Sequence, residues 1–252
     1  MKTLFIGQYC IKPDQTDSTN SFLTRALSEK NLPEGTAVIT EKQEQGRGQR
    51  GTFWESERGK NLTFSFLLFP SFLKPDEQFI LSKSIALALN DFVGSCFTGA
   101  GSLTKIKWPN DIYIGDKKVA GILIENSVSG NQLSHSIAGI GININQERFS
   151  SALPNPVSLK LITGKEFDLK ECFEDMCSCI ESRYLQLKRK ENSKIDSDYI
   201  KSMYRFGEWS SYKFKAGIIN AKICGVSEIG KLILEKENGE KLECDVKDVR
   251  FL

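Results

Sequence analysis

The sequence predicts an α+β protein, with strands and long helices up to residue 206 and a small antiparallel β-barrel over residues 207–252. Two observations support this division. Apolar residues recur at three- and four-residue steps in Pro75–Phe97 and again from Asp168 onward, which indicates two long helices, the second with Asp168 as its N-cap. From Glu208 onward, short β-rich runs are separated by glycines, a pattern typical of a small barrel.

Before residue 206, helices and strands follow one another without repeated βαβ units. The polar run Asp17–Asn20 offers N-cap side chains for a first helix, whereas Met1–Gln15 should pair as a strand or run as a loop. A last helix contains Ile195 and Phe206, and Gly207 is placed to end it. The predicted strands are Thr36–Thr40, Asn61–Phe69, Lys105–Trp108, Asp111–Ile114, Lys117–Glu125 and Ser134–Asn145, and in the barrel Trp209–Lys215, Ile218–Cys224, Lys231–Glu235 and Lys241–Asp245.

The composition is that of an ordinary soluble globular protein, with 40% hydrophobic and 26% charged residues. The net charge of +2 is too small to mark the whole surface as a nucleic-acid binder, so any anion must be bound by a local site. The seven cysteines show no CxxC spacing, and no apolar run has the length of a signal peptide or a membrane span. These features predict a reduced, cytoplasmic setting without membrane contact.

A glycine- and arginine-rich loop, Gln43–Trp54, separates two predicted strands. Its three glycines formally satisfy the GxGxxG pattern, but the loop leads into another strand instead of a helix, which argues against a dinucleotide site. Glycines let the backbone approach a ligand, and Arg47 and Arg50 supply permanently charged donors for carboxylate or phosphate oxygens. We interpret the loop as one that closes on an anion and excludes water from a reactive intermediate. Trp54 either stacks on a base or packs in the core.

The segment Lys105–Glu125 combines lysines, an amide and carboxylates in a hairpin that is otherwise apolar. The turn is predicted at Gly115-Asp116, so Lys118 returns on the adjacent strand near Tyr113 or Asp111. A lysine in that place is a mobile point charge that can bridge a carboxylate and a phosphate in an activation step. Asp111 could hold Mg²⁺ through water. Taken singly, each lysine of the segment also fits the solvated face of a strand.

Together with two further segments, this hairpin and this loop resemble those of biotin–protein ligases. Lys107–Asp111 with Lys118–Glu125 is similar to the family signature, Gly46–Gly51 to the ligand-closing loop, and Asp17–Asn20 and Gly139–Asn145 to two more segments in the right order. The resemblance spans nearly the whole chain. The chain resembles the short form of the family, the biotin–[acetyl-CoA-carboxylase] ligase without an N-terminal DNA-binding domain.

The resemblance implies a nucleotide-binding ligase that modifies a partner protein by biotinylation. Biotin and MgATP would give biotinyl-5′-adenylate and pyrophosphate, and a lysine of a biotin carboxyl carrier domain of a carboxylase would then attack the mixed anhydride. The implied fold is a mixed β-sheet backed by helices, related to class II aminoacyl-tRNA synthetases, with a C-terminal SH3-like barrel. The corresponding domains are residues 1–206 and 207–252.

The resemblance also implies a role for each matching residue. Lys118 and Arg47 would be catalytic, with Lys118 binding the biotin carboxylate and the α-phosphate. Asp111 would be a magnesium ligand. The biotin-binding residues would be Ser18, Thr19, Asn20, Gln43, Arg47, Gly48, Gln49, Lys118 and Gly121, and the ATP-binding residues would be Arg50, Trp54, Lys107, Asn110 and Asn143.

The chain departs from the family pattern in two respects. Many members have arginine where this chain has Gln49 and Thr52, so the loop carries less positive charge and should retain the adenylate less tightly. Ser18 lies too early in the chain to follow an N-terminal helix-turn-helix, so we expect no operator binding and no repressor activity.

Several alternatives stay open on the sequence alone. A lipoate or octanoate transferase of the same superfamily would share the sheet and the lysine. A nucleic-acid-binding module would use the arginine loop and the barrel, although Arg205–Leu252 holds nine basic and eight acidic residues. A metal hydrolase is disfavoured, because the single histidine, His135, has no neighbour at ligand spacing. Edge strands of the sheet could also pair two subunits into a homodimer.

Overall fold

The computed structural model describes residues 2–97, 103–214 and 217–252, with only the backbone of Arg50. Short 3₁₀ turns cover Gln49–Gly51 and Pro75–Glu77. In chain order the elements are β1 (Cys10–Ile11), β2 (Gln15–Thr16), α1 (Thr19–Glu29), β3 (Ala37–Thr40), β4 (Lys42–Gln43), β5 (Leu62–Leu68), α2 (Gln78–Ser95), β6 (Thr104–Lys107), β7 (Asp111–Ile114), β8 (Lys117–Ser129), β9 (Gln132–Ile142), α3 (Leu159–Thr163), α4 (Leu169–Lys188), α5 (Asn192–Lys201), β10 (Trp209–Phe214), β11 (Gly217–Val226), β12 (Leu232–Lys236), β13 (Lys241–Cys244) and β14 (Val249–Phe251).

A seven-stranded mixed sheet organises the first part of the chain. Its strands lie in the order β1-β3-β5-β9-β8-β7-β6. Strand β1 runs parallel to β3, and the other neighbouring strands of this sheet are antiparallel. The short strands β2 and β4 form a separate parallel pair. The predicted α+β class, with a mixed sheet backed by helices, is confirmed.

The two faces of this sheet carry different helices, because successive side chains of a strand point to opposite sides. Val38, Leu67 and Ile137 pack with Leu23 of α1 in a small cluster. The sequence neighbours of these strand residues, such as Phe66, belong to a larger core that contains the buried residues of α2 and α4. Helix α1 therefore covers one face, α2 and α4 cover the other, and α5 packs on α2.

Side-chain caps begin two of the helices. Asp168 is the N-cap of α4, as predicted, and its carboxylate accepts the backbone N–H of Glu171 at 2.9 Å. Ser158 caps α3 in the same way through the N–H of Leu161. At the start of α1, by contrast, Ser18 makes no side-chain cap bond. The first N–H groups of α1 therefore find their partners elsewhere.

The last predicted helix is too long, and the assignment of Gly207 as its end is wrong. Helix α5 ends at Lys201. The chain leaves the helix there because it pairs with the edge strand β6, where Ile106 exchanges backbone hydrogen bonds with Ser202 and Tyr204 at 2.8 and 2.9 Å. This pairing covers the open edge of the sheet, which the apolar periodicity of the segment does not reveal.

The other predicted strands are confirmed, with ends that shift by a few residues. Strand β8 continues past Glu125 to Ser129, because β9 pairs with it as far as the turn at Gly130. The sequence did not predict β4, α3 or β14. Lys215, at the end of one predicted strand, lies outside the described residues.

A five-stranded antiparallel sheet, in the order β13-β12-β11-β10-β14, follows α5 and is consistent with the predicted SH3-like barrel. It contacts the large sheet close to the predicted lysine hairpin. The indole N–H of Trp108 donates to Gly230 O at 2.9 Å, and the Phe251 ring centroid lies 4.9 Å from Lys107 Nζ. The domain boundary that we predict at residue 206 falls between α5 and β10.

Cysteines and helices give two further observations on the predicted setting. All seven cysteines are free thiols, and burial raises the pKa of Cys172 and Cys177 to about 12, so these thiols are uncharged. No helix in the described ranges is both long enough and apolar enough to cross a membrane.

Glu181 of α4 anchors the N-terminal segment of the chain. This carboxylate is buried, and it accepts the backbone N–H groups of Leu4, Phe5 and Ile6 at 2.7, 2.8 and 3.1 Å. We expect Glu181→Ala to lower the free energy of unfolding by about 2–3 kcal/mol, because three donors lose a charged acceptor. Urea unfolding measures the change.

The control for this substitution is Asp175→Ala, which removes an exposed carboxylate from the same helix. It should leave the urea midpoint close to that of the wild type, since surface substitutions usually change stability by less than about 0.5 kcal/mol. Equal midpoints for the two variants would contradict the anchoring role of Glu181.

Candidate active site

A cavity of about 780 Å³ opens on the α1 face of the large sheet. Strand pairing explains its position, because Gly121 pairs with Gly141 and Leu123 with Gly139, and paired residues share a face. Fourteen of the fifteen predicted site residues line this cavity, namely Ser18, Thr19, Asn20, Gln43, Arg47, Gly48, Gln49, Trp54, Lys107, Asn110, Asp111, Lys118, Gly121 and Asn143. The fifteenth is Arg50, whose side chain lies outside the described part of the structure.

A buried polar pocket lies at the N-terminus of α1. Gln43 Oε1 accepts the backbone N–H of Thr19 at 2.9 Å and thereby replaces the missing helix cap. Ser65 is fully buried, and its hydroxyl oxygen lies 2.7 Å from Thr19 Oγ1 and 2.6 Å from Asn20 Oδ1. These contacts fix the orientation of each polar side chain, so the pocket is formed without a ligand.

The glycine- and arginine-rich loop folds back on itself as a narrow hairpin. The backbone N–H of Trp54 donates to Gly46 O at 2.9 Å, and the backbone N–H of Gly48 donates to Thr52 O at 2.7 Å. A Cβ atom at Gly46 would lie only 2.3 Å from Trp54 O, so close approach of the two arms requires glycine there. The loop leads into β5, as predicted, and not into a helix.

Arg47 of this loop is tied to the large sheet. Its Nη2 atom lies 2.9 Å from Glu125 Oε2, in an ion pair that is close to half exposed on each side. An exposed ion pair of this kind contributes about 0–1 kcal/mol, so a ligand anion can replace it.

Lys118 faces the cavity through an irregularity in β8. Tyr113 pairs with Lys118 but Ile112 pairs with Ala120, which leaves Val119 as an extra residue, a β-bulge. The bulge lets Lys118 and Gly121, three positions apart, share one face of the sheet. Lys118 Nζ lies 2.7 Å from Asp111 Oδ1, as the hairpin turn predicted.

Backbone hydrogen bonds hold Lys118 on both sides. Its N–H donates to Asn155 O at 2.8 Å, and its carbonyl accepts the N–H of Val157 at 2.9 Å. The side chain is one-third exposed, and among the described residues its ammonium group pairs with the carboxylate of Asp111. The lysine therefore combines a fixed backbone with a cation that can turn to a bound anion.

Trp54 lies over the glycines that pair on β8 and β9. A Cβ atom at Gly141 would be 2.2 Å from the indole ring, and one at Gly121 would be 3.3 Å from it. The indole N–H of Trp54 and the side-chain oxygen of Asn143 are both buried and have no hydrogen-bond partner. Of the unpaired buried side-chain atoms in the described residues, these two belong to residues that line the cavity, so a ligand there can pair with them.

Lys107 and Asn110 lie at the turn between β6 and β7, at the other end of β7 from the turn at Gly115. Lys107 Nζ donates to Tyr113 Oη at 2.9 Å and lies over the Phe251 ring of the C-terminal sheet. Asn110 Nδ2 donates to Ile122 O, so this amide also orders the hairpin. Aromatic rings from both sheets thus fix the direction of the Lys107 cation.

The predicted metal ligand Asp111 is the one carboxylate of the described residues that pairs with Lys118. No group of three or more histidine, cysteine, aspartate or glutamate side chains in the described ranges is arranged to hold a metal ion. Mg²⁺ on nucleotide phosphates usually takes one or two carboxylates and completes its shell with water and phosphate oxygens. A lone carboxylate therefore fits a nucleotide-borne Mg²⁺ but not a resident metal.

Several residues in or beside the site were not predicted from the sequence. Ser65 is, with Thr63, one of two isolated polar residues in an otherwise apolar strand. Glu125 ends the recognised segment Lys118–Glu125, but its role depends on contacts that are more than 70 residues away in sequence. Gly139 and Gly141 belong to the recognised segment Gly139–Asn145, and their two-residue spacing is the available signal for one glycine-lined face.

Comparison with known proteins identifies the family. Residues 13–143 match the model of the biotin/lipoate A/B protein ligase family. The bifunctional ligase/repressor BirA of Bacillus spizizenii is 31% identical over 96% of this chain and 74% of its own length. The biotin–[acetyl-CoA-carboxylase] ligase of Paracoccus denitrificans is 31% identical over 90% of this chain and 95% of its own length.

A solved structure agrees with these relatives. The biotin protein ligase from Aquifex aeolicus in complex with biotin and ATP is 29% identical, with a TM-score of 0.76, over 97% of this chain and 99% of that one. Because the match covers nearly all of both chains, it includes the mixed sheet and the C-terminal sheet of this protein. The chain therefore belongs to the biotin/lipoate A/B protein ligase family, and it is an enzyme of the ligase class.

Proposed function

We propose that this ligase joins biotin to a lysine of a biotin carboxyl carrier domain at the expense of ATP. In the first step a biotin carboxylate oxygen attacks the α-phosphorus, the bond to the β-phosphate oxygen breaks, and biotinyl-5′-adenylate and pyrophosphate form. In the second step the neutral amine of the carrier lysine attacks the acyl carbon and the acyl C–O bond to the phosphate breaks. AMP leaves, and the nitrogen loses a proton to solvent as the amide bond forms. We also propose a cytoplasmic location, for which the seven free thiols are the support.

One observation carries this proposal. The Lys118 cation lies in the same cavity as the polar pocket at α1 and as the two unpaired atoms, Trp54 Nε1 and Asn143 Oδ1. The pocket, with its hydroxyl and amide groups, suits the N–H and C=O groups of the ureido ring of biotin. The unpaired oxygen of Asn143 suits the amine on the edge of adenine, and the Trp54 ring suits stacking on the face of the base. A biotin carboxylate and an α-phosphate would then meet near Lys118.

The remaining residues have roles that follow from their contacts. Lys118 would exchange Asp111 for the biotin carboxylate and the α-phosphate as negative charge develops. Arg47 and the backbone of Gly48 and Gln49 would close over the adenylate and exclude water. The other predicted ligands are Trp54 over the adenine, Lys107 and Asn110 along the phosphates, and Arg50 as a further ATP ligand.

Asp111 is the residue that would hold magnesium. The ion would supply neutralising charge on the phosphates, as it does in most nucleotide sites. Asp111 itself would lose its ammonium partner when Lys118 turns to the substrate anions. A free carboxylate would therefore be available at the moment when the nucleotide is bound.

Biotin-dependent exchange of pyrophosphate into ATP tests the proposed function. Purified protein should incorporate labelled pyrophosphate into ATP when biotin is added and should not do so with lipoate or octanoate. It should also transfer labelled biotin to a carrier domain. Exchange that depends on lipoate would assign the chain to the other branch of its family, and no exchange with any of these acids would refute adenylation.

Gln49 should determine how long the adenylate is retained. It lines the cavity, and arginine at this position would add a positive charge beside the phosphate. We expect Gln49→Arg to slow the escape of biotinyl-adenylate by about fivefold, which corresponds to an added charge–charge interaction near the surface. A filter or rapid-dilution release assay with labelled biotin measures the rate.

A matched control is Gln45→Arg, which adds the same charge to an exposed position of the loop that does not line the cavity. Its release rate should equal that of the wild type. If Gln49→Arg also releases the adenylate at the wild-type rate, the charge of this position does not control retention.

A further inference from the structure

The carboxylate of Glu125 is the meeting point of three elements. Glu125 lies on β8 and pairs with Ile137, so it faces the same side of the sheet as α1. Its Oε2 atom accepts the amide N–H of Asn20 at 2.6 Å and the guanidinium N–H of Arg47 at 2.9 Å. One oxygen thus joins the start of helix α1, the glycine- and arginine-rich loop and the sheet.

Asn20 depends on this contact for its orientation. Its Nδ2 group donates both to Glu125 and to Leu123 O, the second at 3.2 Å, and its Oδ1 atom lies 2.6 Å from the hydroxyl of Ser65. The donors of the amide are therefore both in use within the protein, and the side chain is only 2% exposed. Any contact of Asn20 with a ligand must come from its oxygen, whose direction the two N–H bonds set.

Glu125 itself does not line the cavity. It can influence a bound ligand only through Asn20 and Arg47, both of which do line it. Its carboxylate is partly exposed, so the bond to Arg47 is easily exchanged, whereas the bond to the buried Asn20 is shielded from water. Removing the charge of Glu125 should therefore release Arg47, whereas Asn20 should keep its hydrogen bond as long as the new side chain offers an acceptor.

We propose that Glu125 is a positioning residue that preforms the end of the cavity that would hold the biotin ring, by orienting Asn20 and by tethering the loop through Arg47 before a ligand binds. The effect of Glu125 on biotin binding rests on the proposed function. The effect of Glu125 on the loop can be measured without any enzymatic activity. Loss of Glu125 should weaken biotin binding and free the tip of the loop, whereas Asn143 and Lys107 at the ATP end do not depend on Glu125 and should keep their positions.

Limited trypsin digestion tests the tether directly, because Arg47 and Arg50 offer cleavage sites in the loop. Without ligands, Glu125→Gln and Glu125→Ala should be cut in the loop about two- to fivefold faster than the wild type, the range expected for loss of a partly exposed ion pair. Glu41→Gln is the matched control. It removes the same charge from the exposed Arg58–Glu41 pair near the loop and should leave cleavage unchanged.

Kinetics of pyrophosphate exchange test the orientation of Asn20. Glu125→Ala should raise KM for biotin by about tenfold, the effect of losing a charge-assisted hydrogen bond, with KM for ATP within about twofold of the wild type. Glu125→Gln keeps an acceptor for Asn20 and should raise KM for biotin less than Glu125→Ala does.

Two results would overturn the inference. One is loop cleavage at the wild-type rate in both Glu125 variants. The other is an equal rise in KM for biotin and for ATP, which would indicate a general loss of structure. If the wild type shows no exchange at all, the proposed function fails, and digestion alone then decides whether Glu125 tethers the loop.

Discussion

Replacement of Lys118 by alanine is expected to reduce biotin-dependent ATP–pyrophosphate exchange by about 10²–10³-fold, the usual cost of removing one charged group that stabilises a transition state. In the free protein the ammonium is held by Asp111 at 2.7 Å, and it can turn to the anions that react. The methyl group of alanine leaves the carboxylate and the α-phosphate to repel each other. The decrease should appear mainly in kcat, since charge builds up between these groups as the bond forms.

Lys117→Ala is the control for this experiment. Lys117 adjoins Lys118 in sequence and has the same charge, but it is exposed and does not line the cavity. Its exchange rate should match that of the wild type. Normal exchange by Lys118→Ala would show that the activating cation is a different residue.

Gly141→Ala is expected to raise KM for ATP by about 10- to 100-fold, the range of free energies for stacking an aromatic side chain on a base. The added Cβ would lie 2.2, 2.5 and 2.6 Å from three atoms of the Trp54 indole, so the ring must leave its place. KM for biotin should change less, because the atoms nearest to the new Cβ belong to Trp54 and not to the pocket at α1. Steady-state exchange at varied ATP and varied biotin separates the two effects.

The chain offers a matched glycine for this test. Gly217→Ala also adds a methyl group to a strand glycine, but no atom lies within 4 Å of the new Cβ. This variant should keep the wild-type KM for both substrates. An unchanged KM for ATP in Gly141→Ala would mean that Trp54 does not cover the nucleotide.

The sequence predicted the parts of this protein that depend on local chemistry. The hairpin turn at Gly115, the N-cap at Asp168 and the pairing of Lys118 with Asp111 follow from turn preference, capping and strand direction, and all three are present. Proximity of most candidate site residues in one cavity was implied only by the family resemblance, because the spacing of the segments does not show which of them meet.

Features that depend on contacts between distant segments could not be predicted. The end of α5 is set by pairing of Ser202 with the edge strand β6, and the position of Lys107 by a ring of the C-terminal sheet. The same holds for Glu125, whose partners lie on the loop and on α1. The periodicity of apolar residues shows which face of a helix or strand is apolar. It does not show which polar group of a neighbouring element will contact that helix or strand.

The hydrogen bonds around Lys118 bear on how such a chain can diverge. Its N–H, its carbonyl and the carbonyl of Val119 are bonded to backbone atoms of Asn155, Val157 and Asn143. None of these bonds depends on the identity of a side chain, so substitutions among the surrounding residues can accumulate without moving the lysine. Only proline at a donor position would remove a bond outright. A sequence that shares only 31% of its residues with a relative can therefore still hold a lysine backbone in this way.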